Sequence, residues 1–326
     1  MKALVTGASG FIGSHIVDRL LTRGYDVRVL LRRTSSTEWL DVQRVERITG
    51  DLFDEEALRQ AVDGVDYIYH SAGLTKAKTE AEYFRANTVG TTNLLRAAVE
   101  GGQKIRRFVF ISSQTASGPS PGPTPMTEEA PPHPITTYGR SKLQAEQECM
   151  KVSSQLPFTI VRPPAVFGPR DKDIFEYFHT FSRGLQPMVG FSEKYLSLIH
   201  VTDLVRGVML AGESPKAAGQ TYFISSDRAY GWKEVGEVTR AAMGKRAVRV
   251  RIPEPAVYLI AGLSEFFSLF STKPALVNLE KARDMVQQYW TCDSSKARRD
   301  FGYGQEISLE EGIRTTIEWY RKHGWM

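Results

Sequence analysis

The chain of 326 residues contains only two cysteines, Cys149 and Cys292, far apart and without the short spacing of a metal site. That excludes a disulfide scaffold or a zinc knuckle and points to reduced thiols in a cytoplasmic compartment, with no metal expected. Long hydrophobic runs are also missing. The most apolar window, "PAVYLIAGLSEFFSLF" at 255–270, is interrupted by Glu265 and is shorter than the ~20 residues a bilayer-spanning helix needs. No transmembrane segment is expected, and the window is read as a core helix, with pocket lining or membrane contact as alternatives. An excess of one charge is absent too: 42 Lys and Arg oppose 37 Asp and Glu, for a net +5. The basic residues are scattered, so no cationic stripe is available for nucleic acid. Met1-Lys2 leads straight into "ALVTGASG", which leaves no room for a secretory leader. At 41% hydrophobic and 24% charged, the composition is that of a soluble globular chain with one large or two ordinary domains.

What is present is an alternation. Short apolar runs ("KALVT", "DVRVLL", "RITGD", "DYIYH", "RRFVFIS", "FTIVRP") are separated by longer amphipathic ones at 11–23, 54–62, 80–101 and 138–154. Buried strands alternating with helices predict an α/β fold, a doubly wound parallel sheet covered on both faces. Proline is concentrated in "SGPSPGPTPMTEEAPPHP" at 117–134, a stretch neither helix nor strand tolerates, read as a flap beside the site. After residue 168 the pattern changes, and from Trp232 it reads as mostly helical. The expected division is a dinucleotide-binding domain at 1–168 to which 198–231 returns. A smaller, mostly helical substrate domain would comprise 169–197 and 232–326, at the carboxyl edge of the sheet.

"VTGASGFIGS" follows the first strand and opens the first helix. Gly7 permits a tight turn, Gly10 lets backbone approach a pyrophosphate, and Gly13 lets helix and sheet pack closely, while free N–H groups face the anion. Candidate cofactor contacts in this loop are Gly7, Ser9, Gly10, Phe11, Ile12 and Gly13. An NAD-specific site would end the second strand with a carboxylate for the ribose 2′-hydroxyl. Here "VRVLLRRTSS" supplies Arg32 and Arg33 instead, guanidinium forks suited to a 2′-phosphate. NADP(H) is therefore the expected cofactor, with NAD(H) as the alternative. Asp51 and Leu52 of "GDL" are placed beside the adenine. Ser71, Ala72 and Gly73 of "HSAG" lie where pyrophosphate and ribose pass, and His70 is read as structural rather than as a base.

In "TTYGRSK", Tyr138 precedes Lys142 by four residues, which sets both on one helical face. An unperturbed phenol titrates near pH ~10, and a cation held nearby lowers that value. Lys142 would supply the cation and bond the nicotinamide ribose, leaving Tyr138 to exchange a proton with a substrate hydroxyl. Ser113, ending "VFISS", would hydrogen-bond the substrate oxygen, with Ser112 as the second choice.

At this point the chain resembles the extended short-chain dehydrogenase/reductase family, the NAD(P)-dependent epimerases and dehydratases. The resemblance runs along nearly all of it through "TGASGFIG", "GDL", "HSAG", "NTVGTTNLL", "ISS", "YGRSK", "VRPPAVFGPRD" and "HVTDLVRG". It implies a Rossmann fold, Ser113, Tyr138 and Lys142 as the catalytic group, and Asn87 as a residue that holds the geometry. It also implies a homodimer through helices at 85–101 and 138–154. Nucleotide-sugar members commonly carry an asparagine where "RPPAVFGP" has Ala165, and an arginine where "YLSLIHVTD" has Leu196. An uncharged small-molecule substrate fits their loss, as in the 3β-hydroxysteroid dehydrogenase and dihydroflavonol reductase-like branch. Three readings follow: an NADP(H)-dependent oxidoreductase, a nucleotide-sugar epimerase or dehydratase, and a non-catalytic NADP(H)-binding subunit.

Overall fold

The computed structural model describes residues 1–101, 105–268 and 278–326. Seven parallel strands form the main sheet: β1 (Lys2–Thr6), β2 (Asp26–Leu31), β3 (Val45–Thr49), β4 (Tyr67–His70), β5 (Arg107–Ile111), β6 (Phe158–Arg162) and Gln220–Phe223. Their spatial order is Gln220–Phe223, β6, β5, β4, β1, β2, β3. The chain thus winds outward from β1 in one direction through β3 and then in the other from β4, and the reversal lies between β1 and β4. The register sets Thr6 level with His70, so both strands end together and open a crevice at their carboxyl ends, where doubly wound sheets bind ligands.

The strand sequences explain their positions. Every residue of "RFVFI" and "FTIVR" in β5 and β6 is buried, as strands covered on both faces require. At the edge, "VERIT" of β3 buries only Val45 fully. On one face, Ile16, Val17 and Leu20 of α1 (Phe11–Thr22) pack with helix Val201–Glu213 over β1 and β2. The other face is covered by α2 (Glu55–Val62), α4 (Gly90–Glu100) and α5 (Thr137–Lys151), through Leu58, Leu94, Leu95 and Cys149. Before α4 the chain forms α3 (Glu80–Tyr83), opened by a Thr79–Glu82 capping box, and then a π-helical segment, Phe84–Val89. Such segments recur at functional sites.

A third core, with Phe178, Phe181, Ile313, Ile317 and Tyr320, lies among helices Phe175–Ser182, Trp232–Met243 and Leu309–Lys322. The region after Trp232 is mostly helical, as its sequence suggests, and over its described residues it also contributes two short strands. Val248–Ile252 pairs in parallel with Leu185–Val189, and Tyr289–Trp290 joins Tyr195–Leu196 and Tyr230–Gly231 in a small sheet. The proline-rich stretch 117–134 is a loop, but not a free flap. Ser120 N donates to Tyr289 O at 2.9 Å and Met126 N to Thr291 O at 3.0 Å, stitching it to the carboxyl-terminal part. The apolar window also departs from a core helix: in Glu254–Ser268 only Val257 and Ala261 are buried. Leu269 and Phe270, its last two residues, lie outside the described residues. Among the described residues no helix is long and apolar enough to cross a membrane.

Candidate active site

The loop between β1 and α1 separates glycines that the fold requires from one that it does not. Gly7 has φ +74, and a Cβ there would sit 2.6 Å from Ala72 N. At Gly13 an added Cβ would lie 2.1 Å from Gly7 O. Both positions close the protein on itself. Gly10 is different, because its Cβ would meet Gly7 O alone, at 3.2 Å, with an ordinary φ of −85. The space beside it is open, and Gly10 is exposed. Gly10 also N-caps α1 without any side-chain cap, so the first-turn amides of Phe11 and Ile12 have no side-chain acceptor, and no acidic residue lies in that turn. An uncapped helix start beside an open glycine fits the pyrophosphate of a dinucleotide. Ser9 is half-buried on the same loop.

At the far end of this crevice, a cleft of about 420 Å³ is lined by Arg32, Arg33, Thr34, Thr49, Gly50, Asp51 and Asp54. Among the described residues no carboxylate pairs with Arg32 or Arg33, and both are exposed. Asp51 lies two residues beyond the end of β3, is exposed, and accepts from Phe53 N at 2.8 Å. Leu52 is fixed from the other side, where Asn93 donates to its carbonyl at 2.9 Å.

Beyond β4, Ser71 N donates to Thr6 O at 3.1 Å, which seats Ser71, Ala72 and Gly73 against the first loop. Asn87, fully buried in the π-helical segment, bridges this turn to α5. Its Oδ1 accepts from Leu74 N at 2.7 Å, and its Nδ2 donates to Leu74 O at 3.0 Å and to Ser141 Oγ at 2.9 Å. His70 is buried between Thr6 Oγ1 at 2.6 Å and Thr91 Oγ1 at 2.8 Å. Burial, reinforced by the Lys142 charge, lowers its imidazole to about 3, so it is neutral.

Helix α5 starts where Thr136 accepts from Gly139 N at 3.1 Å, placing Tyr138 in its first turn and Lys142 one turn on. Tyr138 is half-buried. Burial pushes its phenol up to about 12, a hydrogen bond with Ser113 pulls the other way, and Tyr83 and Asp173 add to the rise. Ser113 Oγ also accepts from Thr115 Oγ1 at 2.9 Å. Ser112 is committed elsewhere, donating to Glu146 Oε1 at 2.5 Å.

Lys142 does not act on Tyr138 here in the way the i, i+4 spacing suggests. Its Nζ donates to Ile111 O at 2.7 Å and lies 4.1 Å from the Phe110 ring centroid. Burial lowers its ammonium to about 8, while Glu146 opposes that shift. The phenol is thus protonated at neutral pH, the state in which it can donate to a developing alkoxide.

Several neighbours escaped the sequence reading. Tyr83 has its ring 6.2 Å from that of Tyr138. Glu280 Oε1 accepts from Thr137 N at 2.8 Å and from Thr137 Oγ1 at 2.6 Å, pinning the residue before the tyrosine. Beneath the site Glu146 pairs with Arg162 at 2.5 Å, both buried. Glu146, one turn past Lys142, carried a readable spacing signal; Glu280 carried none.

The fold and crevice define a class, the dinucleotide-binding oxidoreductases of doubly wound architecture. More particularly, residues 3–225 match the NAD dependent epimerase/dehydratase family. The chain belongs to that family, and with it to the NAD(P)-dependent oxidoreductases of the extended short-chain dehydrogenase/reductase type. It is similar to ceramide reductase of Caulobacter vibrioides, 29% identical over 99% of this chain and 95% of the relative. It is also 29% identical to 3 beta-hydroxysteroid dehydrogenase/Delta 5→4-isomerase of Mycobacterium tuberculosis, over 98% of this chain and 90% of that one. Among solved structures, UDP-glucose 4-epimerase of Thermotoga maritima with UDP-glucose superposes with a TM-score of 0.80 at 25% identity, covering 99% of each chain.

Proposed function

We infer that the protein is an NADP(H)-dependent oxidoreductase that interconverts an alcohol and a ketone. The observation that carries this reading is the Ser113–Tyr138 hydroxyl pair, with a protonated phenol, Tyr138 on the same helix as Lys142 and Ser113 just beyond the carboxyl end of β5. The bound nicotinamide supplies or accepts the hydride. The chain's own groups do the rest. Ser113 Oγ orients the carbonyl oxygen, and Tyr138 gives it a proton as negative charge develops there. Lys142, freed from Ile111 O, bonds the nicotinamide ribose and steadies the phenolate that remains. Its charge also eases the proton's return in the oxidative direction. Asn87 holds the β4 turn against α5 so that these groups keep their spacing. The loop residues Gly7 to Gly13 cradle the pyrophosphate, Ser71 to Gly73 pass the ribose, and Asp51 and Leu52 flank the adenine. With no carboxylate paired to them among the described residues, Arg32 and Arg33 are suited to a 2′-phosphate. In this reading residues 1–168 and 198–231 form the cofactor part and 169–197 with 232–326 the substrate part. The enzyme is cytoplasmic and homodimeric through α4 and α5, with both thiols free.

An apolar or moderately polar carbonyl is the favoured substrate class. Ala165 and Leu196 offer no polar handle for a sugar nucleotide, and two relatives are named for a ceramide and a steroid. The likeness to a UDP-glucose 4-epimerase favours a second reading, in which tightly held cofactor returns its hydride to the same substrate. Net turnover separates them. NADPH absorbance is followed with a panel of aliphatic and alicyclic ketones, and with UDP-glucose. Stoichiometric NADPH loss with ketones supports the reading; sugar interconversion without net NADPH change overturns it.

A further inference from the structure

Helix Glu254–Ser268 follows strand Val248–Ile252 with Pro253 alone between them. Its inner side is anchored: Val257 and Ala261 pack with Val189, Ile252 and Ala282. Its outer side carries Leu259, Ile260, Leu263 and Phe267, exposed by 65, 51, 50 and 66%. At the ~100° that each helical residue turns, these four fall within an arc of about 100°. Glu254 and Glu265, the charged residues of the helix, project from the opposite side, and Glu265 Oε2 accepts from Leu279 N at 3.1 Å.

The strand that leads into the helix extends the same surface. Val248 and Val250 share a face with Ile252, which lies under the helix; they are 68 and 42% exposed, and Leu185 is paired in register with Val248. Cations gather on this ribbon. Lys245 and Arg246 stand just before the strand, and Lys245 Nζ donates to Ser182 O at 3.2 Å; Arg249 and Arg251 alternate to the opposite face, where Arg249 pairs with Glu237 at 3.0 Å and Arg251 Nη1 donates to Phe191 O at 2.6 Å. Among the described residues no carboxylate forms an ion pair with Lys245 or Arg246. Apolar exposure on this scale marks an interaction surface.

We propose that helix Glu254–Ser268 is an interfacial anchor that seats this end of the molecule on an anionic lipid bilayer. The apolar stripe lies at the headgroup–acyl boundary, and Lys245 and Arg246 face lipid phosphates. Charge selects this occupant: a second copy docked on the same face would set these cations against their own images, whereas an anionic surface complements them. Over its described residues the helix is too short to span, and its packed inner side holds it parallel to the surface.

The anchor also reaches the candidate active site. Ala261 packs with Ala282 of helix Leu279–Val286, and Glu280 of that helix holds Thr137, next to Tyr138. Docking therefore places the crevice two helices from the bilayer, where an amphiphilic carbonyl compound is concentrated. The inference does not depend on the hydride-transfer reading, because its readout is binding to lipid.

The test is flotation of the full chain with vesicles of phosphatidylcholine plus phosphatidylglycerol, and with vesicles of phosphatidylcholine alone. The protein is expected to float with the anionic vesicles, less so at high salt. Leu263→Glu with Phe267→Glu should lower the bound fraction at least roughly tenfold, and Lys245→Glu with Arg246→Glu should lower binding to the anionic vesicles. Circular dichroism and NADPH binding should match the unsubstituted chain. A chain that stays in the aqueous phase with both vesicle types overturns the proposal, as do variants that float unchanged. Dissociation of a dimer by the double glutamate variant would assign the stripe to a second copy. Loss of soluble-ketone turnover with unchanged flotation would assign it to a pocket wall. Either result also overturns the anchor.

Discussion

Substituting alanine separately at Gly10 and Gly13 distinguishes a glycine kept for the cofactor from one kept for the fold. At Gly13 the new methyl would sit 2.1 Å from Gly7 O and 2.6 Å from Gly7 C, so α1 must shift off β1. Rigid backbone on both sides of the clash implies a loss of at least ~3 kcal/mol, at the upper end of overpacking costs. At Gly10 the methyl meets only Gly7 O at 3.2 Å, with a φ of −85 that alanine adopts freely. A reduced unfolded-state entropy worth about 0.4–1 kcal/mol offsets a weaker N-cap, leaving stability within about 1 kcal/mol of the parent. The same methyl projects into the space assigned to pyrophosphate. Losing one charge-assisted amide contact, worth about 1.5–3 kcal/mol, weakens NADPH binding by roughly 10- to 100-fold. Urea denaturation measures the first effect, and a fluorescence titration with NADPH the second. A Gly10→Ala variant that binds NADPH as the parent does would refute the cradle; one as unstable as Gly13→Ala would show that the fold, not the ligand, keeps the glycine.

Two further outcomes are expected. Removing both guanidinium groups with Arg32→Ala and Arg33→Ala should weaken NADPH on the order of 100-fold and NADH by less than about threefold, since only the former carries a 2′-phosphate; equal losses in paired titrations would place recognition elsewhere. His70, buried and held near 3, binds a proton more weakly folded than unfolded, so its contribution to stability is present above the unfolded value near ~6.5 and lost as pH falls below it. Between pH 7 and 5 that amounts to about 2 kcal/mol. His70→Gln should flatten the pH dependence of the urea midpoint, and an unchanged slope would mean that other groups govern it.

The parts of the molecule readable from sequence were those set by local geometry. Alternating buried runs announced the parallel sheet, because a strand covered on both faces must be apolar throughout. The glycines at 7, 10 and 13 marked a strand-turn-helix, and the spacing of Tyr138 and Lys142 put them on one helical face. What local spacing could not settle was where Lys142 directs its ammonium, since the competing acceptor, Ile111 O, lies on a neighbouring strand. Glu280 contacts Thr137 across 143 positions, an encounter fixed only by packing between distant helices. The ribbon of Val248–Ile252 with Leu185–Val189 was hidden for a similar reason: "LQPMV" contains a proline and "VRVRI" alternates with arginine, and each becomes a strand by finding the other. The window at 255–270 shows the limit of composition alone, because an apolar helix can place its stripe inward or outward, and this one does both.

The proton carried by Tyr138 is the centre of the account, and Tyr138→Phe tests it most directly. Single-turnover reduction of a ketone should slow by roughly 10²- to 10⁴-fold with NADPH affinity unchanged, because the substitution removes a proton donor but little contact area. A variant that reduces the ketone at the parent rate would contradict it.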